Sequence, residues 1–143
     1  MLPEWDAFSN VGNWRCKNWW GPGSPFGEDA FEQSWAGKVL WLNPPFDFLD
    51  RVLAKLVKDG AHGILVLPEW PRRKYFQTAM NLCLDQIHFP KGFKFFERPG
   101  WMARGLQWPV RVVLIVDTTL SVSVADFAFT EKLFRSLSIF LTT

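Results

Sequence analysis

The sequence predicts a compact α/β domain with a mostly parallel sheet and a late antiparallel pair of strands. Two continuous apolar runs of strand length, 37–42 and 62–68, flank a segment of helical periodicity, 47–60. A strand, a crossover helix and a second strand at this spacing form a right-handed βαβ unit, in which the two strands are parallel. The 143 residues are enough for one such domain with its own core.

The first apolar run, GKVLWL (37–42), is rich in strand-favouring residues, and Asn43 with the two prolines after it ends the run. We expect a helix over 47–60, capped by Asp47 and ended by Gly60. The apolar stripe of this helix consists of Phe48, Leu49, Val52, Leu53, Leu56 and Val57.

The second apolar run, HGILVLP (62–68), is typical of a strand that is covered on both faces. Pro71 can then open a second helix, and DQIHF (85–89) predicts a short strand after it. The apolar face of the second helix contains Tyr75, Phe76, Ala79, Met80 and Cys83.

The two ends of the chain have less regular patterns. The first 36 residues are rich in Trp, Gly and Pro, which favours a loop-dominated half. Near the other end, GFKFF (92–96) and VRVVLIVD (110–117) are expected to pair as late strands. We therefore assign residues 1–117 to one domain and treat 118–143 as a C-terminal extension of uncertain structure.

Composition excludes several classes of protein. Apolar residues make up 48% of the chain and charged residues 21%, which disfavours disorder. No apolar run approaches the roughly 18 residues of a membrane span. The N-terminus lacks the pattern of a secretory signal, so we expect an intracellular protein that is not secreted. Cys16 and Cys83 are expected to be buried free thiols rather than a disulfide or metal ligands.

Charge and aromatic content do not identify the binding partner of the protein. The net charge of +2 permits nucleic-acid binding but does not argue for it, because basic residues cluster only locally, as at 72–74. The nine Trp are unusual for this length. They indicate either a Trp-rich core or exposed surfaces for stacking and docking.

The tetrapeptide Asn43, Pro44, Pro45, Phe46 joins the first predicted strand to its helix, at the sheet edge where parallel sheets bind ligands. A planar amine such as that of adenine becomes nucleophilic when two acceptors hold its hydrogens. The Asn43 side-chain oxygen and the Pro44 carbonyl can be these acceptors, because a Pro-Pro step is stiff and leaves its carbonyls free. Phe46 can stack on a flipped base, a contact worth about 1–3 kcal/mol. The alternative, which we favour less, is that the prolines simply end the strand.

Five segments of the chain resemble a known family in their order. They are WDAFSN (5–10), NWRC (13–16), EDAFEQSW (28–35), WLNPPF (41–46) and VLAKLVKDGAHGILVLPEWPRRKYF (52–76). In this order they resemble the phage Dam-like DNA N6-adenine methyltransferases, and still more their relatives in DIRS- and Ngaro-type tyrosine-recombinase retrotransposons, where this region follows ribonuclease H. The resemblance implies a compact or truncated Rossmann-like class I methyltransferase fold with S-adenosylmethionine as cofactor and DNA as substrate.

The resemblance also implies roles for individual residues. The tetrapeptide 43–46 would form the catalytic pocket for the target amine. Asp6 and Phe8 would begin the cofactor loop, with Asp6 near the amino-acid end of the cofactor, and Gly12 would stand where a second loop glycine of the family falls. Asp29 is a further cofactor candidate. The alternative for Asp6 and Asp29 is that each caps a turn.

Trp70 could flank the substrate, and Arg72, Arg73 and Lys74 could contact phosphates. The slightly preferred alternative is that Pro71 starts a helix of which the basic residues are the solvated first turn.

Three functions therefore stay open. The first is an S-adenosylmethionine-dependent DNA adenine-N6 methyltransferase of retroelement or phage origin. The second is a catalytically inactive, domesticated subunit that docks to protein partners in a larger assembly, and the third is nucleic-acid binding without catalysis. Ribonuclease H activity is not expected, because the chain supplies at most the last of the carboxylates that its metal ions require.

Overall fold

A mixed sheet of six strands organises the part of the chain described by the computed structural model, which comprises residues 3–11, 14, 16–93 and 106–116. Two helices accompany the sheet. In chain order the elements are β1 (Trp5–Asp6), β2 (Asn18–Trp19), β3 (Val39–Leu42), α1 (Leu49–Asp59), β4 (His62–Pro68), α2 (Lys74–Leu82), β5 (Cys83–Phe89) and β6 (Val110–Ile115). Single 3-10 turns lie at Ala30–Glu32 and Phe46–Phe48.

The strands are arranged in the order β2-β1-β3-β4-β6-β5. The first four of these are parallel neighbours, whereas β6 is antiparallel to both β4 and β5. β5 therefore runs in the same direction as β4 but is separated from it by β6. The predicted α/β class with a mostly parallel sheet and a late antiparallel pair is confirmed.

The expected partner of the last strand was wrong. β6 pairs with β4 and β5 rather than with the segment GFKFF. Gly92 and Phe93 lie outside any strand, and residues 94–96 and 118–143 lie outside the described part of the chain. The Gly92 N–H donates to the Leu106 carbonyl at 2.7 Å, and the Leu106 N–H donates to the Phe93 carbonyl at 2.9 Å.

Helix α1 forms within the predicted segment, but its first residue is Leu49 and its cap differs from the prediction. Asp47 does not cap it, because Asp47 lies inside a 3-10 turn and Phe48 occupies the cap position without a side-chain hydrogen bond. Gly60 ends the helix as predicted, with φ 63° and ψ 48°, a left-handed conformation that favours glycine. The side chains that α1 buries are Leu49, Val52, Leu53 and Leu56, whereas Phe48 and Val57 are exposed.

Helix α2 begins at Lys74, so the expectation that Pro71 opens it was wrong. Pro71 instead lies in a turn closed by the Arg73 N–H, which donates to the Trp70 carbonyl at 2.9 Å. The buried Tyr75 hydroxyl donates to the Pro68 carbonyl at 2.7 Å and so ties α2 to the end of β4. Burial raises the pKa of Tyr75 to about 12, which keeps this donor protonated.

The described residues among the first 36 lie mostly in loops, as predicted, and they form their core from large rings. Trp20 and Trp35 are 2% and 0% exposed, so they are core residues. Trp20 stacks on Trp5 with ring centroids 4.7 Å apart, and the Trp35 indole donates to the Ala30 carbonyl at 2.9 Å. Cys16 is buried and Cys83 half-buried, and both are free thiols.

Asp59 connects this aromatic half to α1. Its carboxylate accepts a hydrogen bond from the Trp35 backbone N–H at 2.9 Å and pairs with Lys55 at 2.9 Å. Burial alone would raise the pKa of Asp59, but the hydrogen bond and the Lys55 ammonium outweigh burial and hold this pKa below its usual range. A depressed pKa means that the charged form of Asp59 stabilises the fold.

Replacement of Asp59 tests this connection. We expect Asp59→Ala to lower the free energy of unfolding at pH 7 by about 1–3 kcal/mol, because the Trp35 N–H loses its acceptor. The loss relative to the wild type should be full above the unfolded-state pKa of Asp59 and should shrink as pH falls through the lower folded-state pKa. Denaturant titrations between pH 7 and pH 3 measure it. Asp47→Ala, at an exposed position, is the control, and an equal loss in both variants would contradict the assigned role.

Candidate functional site

The ends of four parallel strands meet at one edge of the sheet. The loops that leave β1, β2, β3 and β4 start at Ala7, Trp20, Asn43 and Glu69, and parallel strands place all of these at their common carboxyl edge. This is the edge at which open α/β sheets bind ligands. Two clefts lie there.

The first cleft, which we call the β1–β3 cleft, has a volume of about 380 Å³. It contains Phe8 and Asp29, two of the residues that the resemblance assigns to the cofactor. It also contains residues to which sequence reasoning gave no role, because they come from four separate segments of the chain. Its wall consists of residues 7–10, 20–22 and 28–31 with Pro45, Phe48 and Arg51.

Asp6 lies at the end of β1 and is 2% exposed. Its backbone carbonyl accepts from the Trp20 N–H at 2.9 Å, which continues the pairing between β1 and β2. Asp6 is therefore a strand residue, the last one of β1. The described wall of the β1–β3 cleft begins one residue later, at Ala7.

Asp29 caps a turn, as one of its two interpretations expected, and it lies in the wall of the cleft. Its Oδ1 accepts from the Phe31 N–H at 2.9 Å and caps the 3-10 turn Ala30–Glu32, and Asp29 also lines the cleft. The neighbouring Glu28 carboxylate is held in a similar way, since its Oε1 accepts from the Gly23 N–H at 3.1 Å. Two carboxylates thus stand in the same part of the wall.

The glycine that shapes the cleft is Gly21 in the loop after β2. The predicted loop glycine, Gly12, lies outside the described residues. The Ser9 N–H donates to the Trp20 carbonyl at 3.0 Å, so the loops after β1 and β2 lie against each other. A Cβ on Gly21 would stand 1.7 Å from the Ser9 carbonyl oxygen, and the φ of Gly21 is 154°. Only glycine fits this close approach.

The second cleft, which we call the β3–β4 cleft, has a volume of about 340 Å³. Phe46 forms part of it, together with three predicted nucleic-acid contacts, Trp70, Arg73 and Lys74, whereas Arg72 is exposed outside its described wall. Its remaining wall residues are Asp47, Asp50 and Tyr75.

An aromatic cluster of Phe46, Trp70 and Trp108 stands at the β3–β4 cleft. The Phe46 ring lies edge-on to Trp70 at 5.4 Å and to Trp108 at 5.5 Å, and the two indoles are 5.5 Å apart. The Arg73 guanidinium lies 6.0 Å from the Trp70 ring. Sequence reasoning missed Trp108, because its loop has no periodicity and Trp108 is far along the chain from its partners Phe46 and Trp70.

The tetrapeptide 43–46 stands between the two clefts. Pro45 lines the β1–β3 cleft and Phe46 lines the β3–β4 cleft. Asn43 is exposed and Pro44 is buried, and neither belongs to the described wall of either cleft. The expectation that both proline carbonyls are free was wrong for Pro45, whose carbonyl accepts from the Phe48 N–H at 3.0 Å. Pro44 remains the candidate acceptor.

A polar cluster missed by sequence reasoning holds the residue before Trp70. The Glu69 carboxylate accepts from Arg111 at 3.2 and 3.3 Å, and it lies 2.8 Å from the His88 ring. Arg111 also donates to the Gln86 side chain. Because Arg111 belongs to β6 and His88 to β5, these contacts fix the start of the loop that carries Trp70 against the antiparallel half of the sheet.

Within residues 3–11, 14, 16–93 and 106–116, no group of three or more His, Cys, Asp or Glu could hold a metal ion. None of the helices in these residues is long and apolar enough to cross a membrane. The chain matches no protein-family model, and comparisons with curated proteins and with solved structures found no significant match.

Substitution of Gly21 tests the close approach of the two loops. We expect Gly21→Ala to lower the free energy of unfolding by about 2–4 kcal/mol, because the new methyl group overlaps the Ser9 carbonyl. Gly37→Ala is the matched control, since Gly37 also has a positive φ, 68°, but has open space around its Cβ position. The control should cost about 1 kcal/mol. Similar losses in the two variants, measured by denaturant titration, would refute the steric explanation.

Proposed function

We propose that the protein transfers a methyl group from S-adenosylmethionine to the N6 amine of adenine in DNA. One observation carries this proposal: consecutive residues of the tetrapeptide, Pro45 and Phe46, form walls of two different clefts. Group transfer needs a donor and an acceptor to meet at one point. A short segment with a cleft on each side would hold the donor and the acceptor next to each other.

The β1–β3 cleft fits the cofactor in size and chemistry. Its volume lies within the roughly 300–1,000 Å³ of ordinary small-molecule sites. Phe8 and Pro22 offer apolar surface for the adenine of the cofactor. The Glu28 and Asp29 carboxylates can accept hydrogen bonds from ribose hydroxyls or from an ammonium group.

The β3–β4 cleft fits a base taken out of a nucleic-acid strand. Phe46 is 40% exposed, so part of its ring is accessible for stacking. Arg73 and Lys74 are exposed cations at the same cleft and can neutralise neighbouring phosphates. A planar base together with its charged backbone would therefore find both kinds of partner within one site.

The chain's own residues would activate the target amine. The exposed Asn43 side-chain oxygen and the Pro44 carbonyl would each accept one N6 hydrogen, which draws the nitrogen toward a tetrahedral geometry and restores its lone pair. The cofactor supplies an electrophilic methyl group on a sulfonium. The amine needs no base before attack, because it loses its proton after the new carbon–nitrogen bond forms. Phe46 would stack on the base and so hold its plane in position.

A second candidate function is a docking subunit without catalysis. It is supported by large apolar side chains exposed in the N-terminal half, Val11 at 67%, Trp14 at 52% and Phe26 at 45%. Co-purification with a stoichiometric protein partner, together with no calorimetric binding of S-adenosylmethionine, would favour this function. An active monomer would exclude it.

Replacement of Asn43 tests the catalytic role. We expect Asn43→Ala to reduce methyl incorporation into adenine-containing DNA by about 100-fold or more, the loss typical when one preorganised polar group is removed from a transition state. The free energy of unfolding should not change, because Asn43 is exposed. The exposed Asn81 on α2 provides the control variant Asn81→Ala. Full transfer of labelled methyl by Asn43→Ala would contradict the assignment.

Replacement of Trp108 tests the base-stacking role of the aromatic cluster. We expect Trp108→Ala to weaken binding of a single-stranded oligonucleotide by up to about 10-fold, because Trp108 packs against Phe46, whose stacking contact with the base is worth about 1–3 kcal/mol. The salt dependence of binding should stay the same in this variant but fall in Arg73→Gln, which removes a cation. Fluorescence anisotropy measures both. Trp14→Ala, at an exposed position outside the cluster, should bind like the wild type.

A further inference from the structure

Arg51 has an unusual setting in the wall of the β1–β3 cleft. Its guanidinium carbon lies 4.0 Å from the centroid of the Phe31 ring and 5.7 Å from that of Phe48. Both rings line the same cleft. Cation–π contact with these two rings restricts the guanidinium without using its N–H donors, which remain available for a ligand.

The charges of the cleft are unbalanced. Arg51 is the single cation in the wall that the structure describes, and Glu28 and Asp29 are its two carboxylates. Within the described residues, Arg51 makes no ion pair with a carboxylate. Backbone N–H groups of Gly23 and Phe31 hold the two carboxylates in place. The wall thus presents one fixed cation and two fixed anions to a ligand.

The charges and rings of this wall would complement one class of small molecule. The ligand would carry one carboxylate, two cationic centres and an aromatic ring. S-adenosylmethionine has these groups: a carboxylate, an ammonium, a sulfonium and an adenine. Arginine rather than lysine suits the carboxylate, because its fork of N–H donors binds both oxygens at once.

We propose that Arg51 binds the carboxylate of the methionine moiety of S-adenosylmethionine and is the residue by which the cleft selects carboxylated ligands. This inference rests on the proposed function. It gives a binding role to a residue outside the tetrapeptide and outside the loop after β1. The Phe31 and Phe48 rings are positioning residues for the guanidinium.

Calorimetric titration with two probes tests the assignment. The probes are S-adenosylmethionine and its decarboxylated analogue, which keeps the adenine, the sulfonium and the amine. We expect the wild type to bind S-adenosylmethionine about 10- to 100-fold more tightly than the analogue. Arg51→Met should lose this preference by weakening only the carboxylated ligand, and Arg51→Lys should retain part of it. Unchanged binding of the analogue shows that Arg51→Met is folded.

Lys58→Met is the control, because Lys58 is an exposed cation on the same helix but outside the described cleft wall. It should keep the full preference. Equal weakening of both probes by Arg51→Met, or an unchanged preference, would overturn the role of Arg51 and leave the proposed function standing. A wild type that binds neither probe would overturn the proposed function and this inference together.

Discussion

The pairing of β1 with β3 is the constraint on which the rest of the site depends. Only two residue pairs define it, Trp5 with Leu40 and Asp6 with Trp41, and backbone hydrogen bonds from Glu4 and Ala7 to β3 extend it. This pairing places the wall that starts at Ala7 opposite Pro45. A strand of this length cannot hold itself in a sheet. The buried rings of the N-terminal half and their connection through Asp59 to α1 supply the missing stability.

The sequence was most informative where a pattern repeats locally. β3, α1 and β4 were predicted because apolar runs and a helical stripe mark them, and their order sufficed to place residues 43–46 at the ligand edge of the sheet. Rules based on neighbouring residues gave a wrong result where two local structures were compatible with the same residues, as at the start of α1. Asp47 was a plausible cap, but the Pro45 carbonyl accepts the Phe48 N–H and inserts a 3-10 turn before the helix.

The parts of the site that the sequence did not reveal are long-range contacts. Gly21 approaches Ser9, Phe46 meets Trp108, and Arg111 reaches Glu69, and no local pattern marks these pairs. Composition alone also did not show whether the nine Trp belong to the core or to exposed surfaces. Trp20 and Trp35 are core residues, whereas Trp70 and Trp108 are half-buried and pack against each other beside a cleft.

The 3-10 turn Phe46–Phe48 belongs to the walls of both clefts. Phe46 lines one cleft and Phe48 the other, and the two residues are separated by Asp47 alone. A movement of the backbone in this turn would therefore alter both clefts at once. Under the proposed function, a ligand that shifts the turn in one cleft would change the affinity of the other cleft, and thermodynamic linkage makes such an effect equal in both directions.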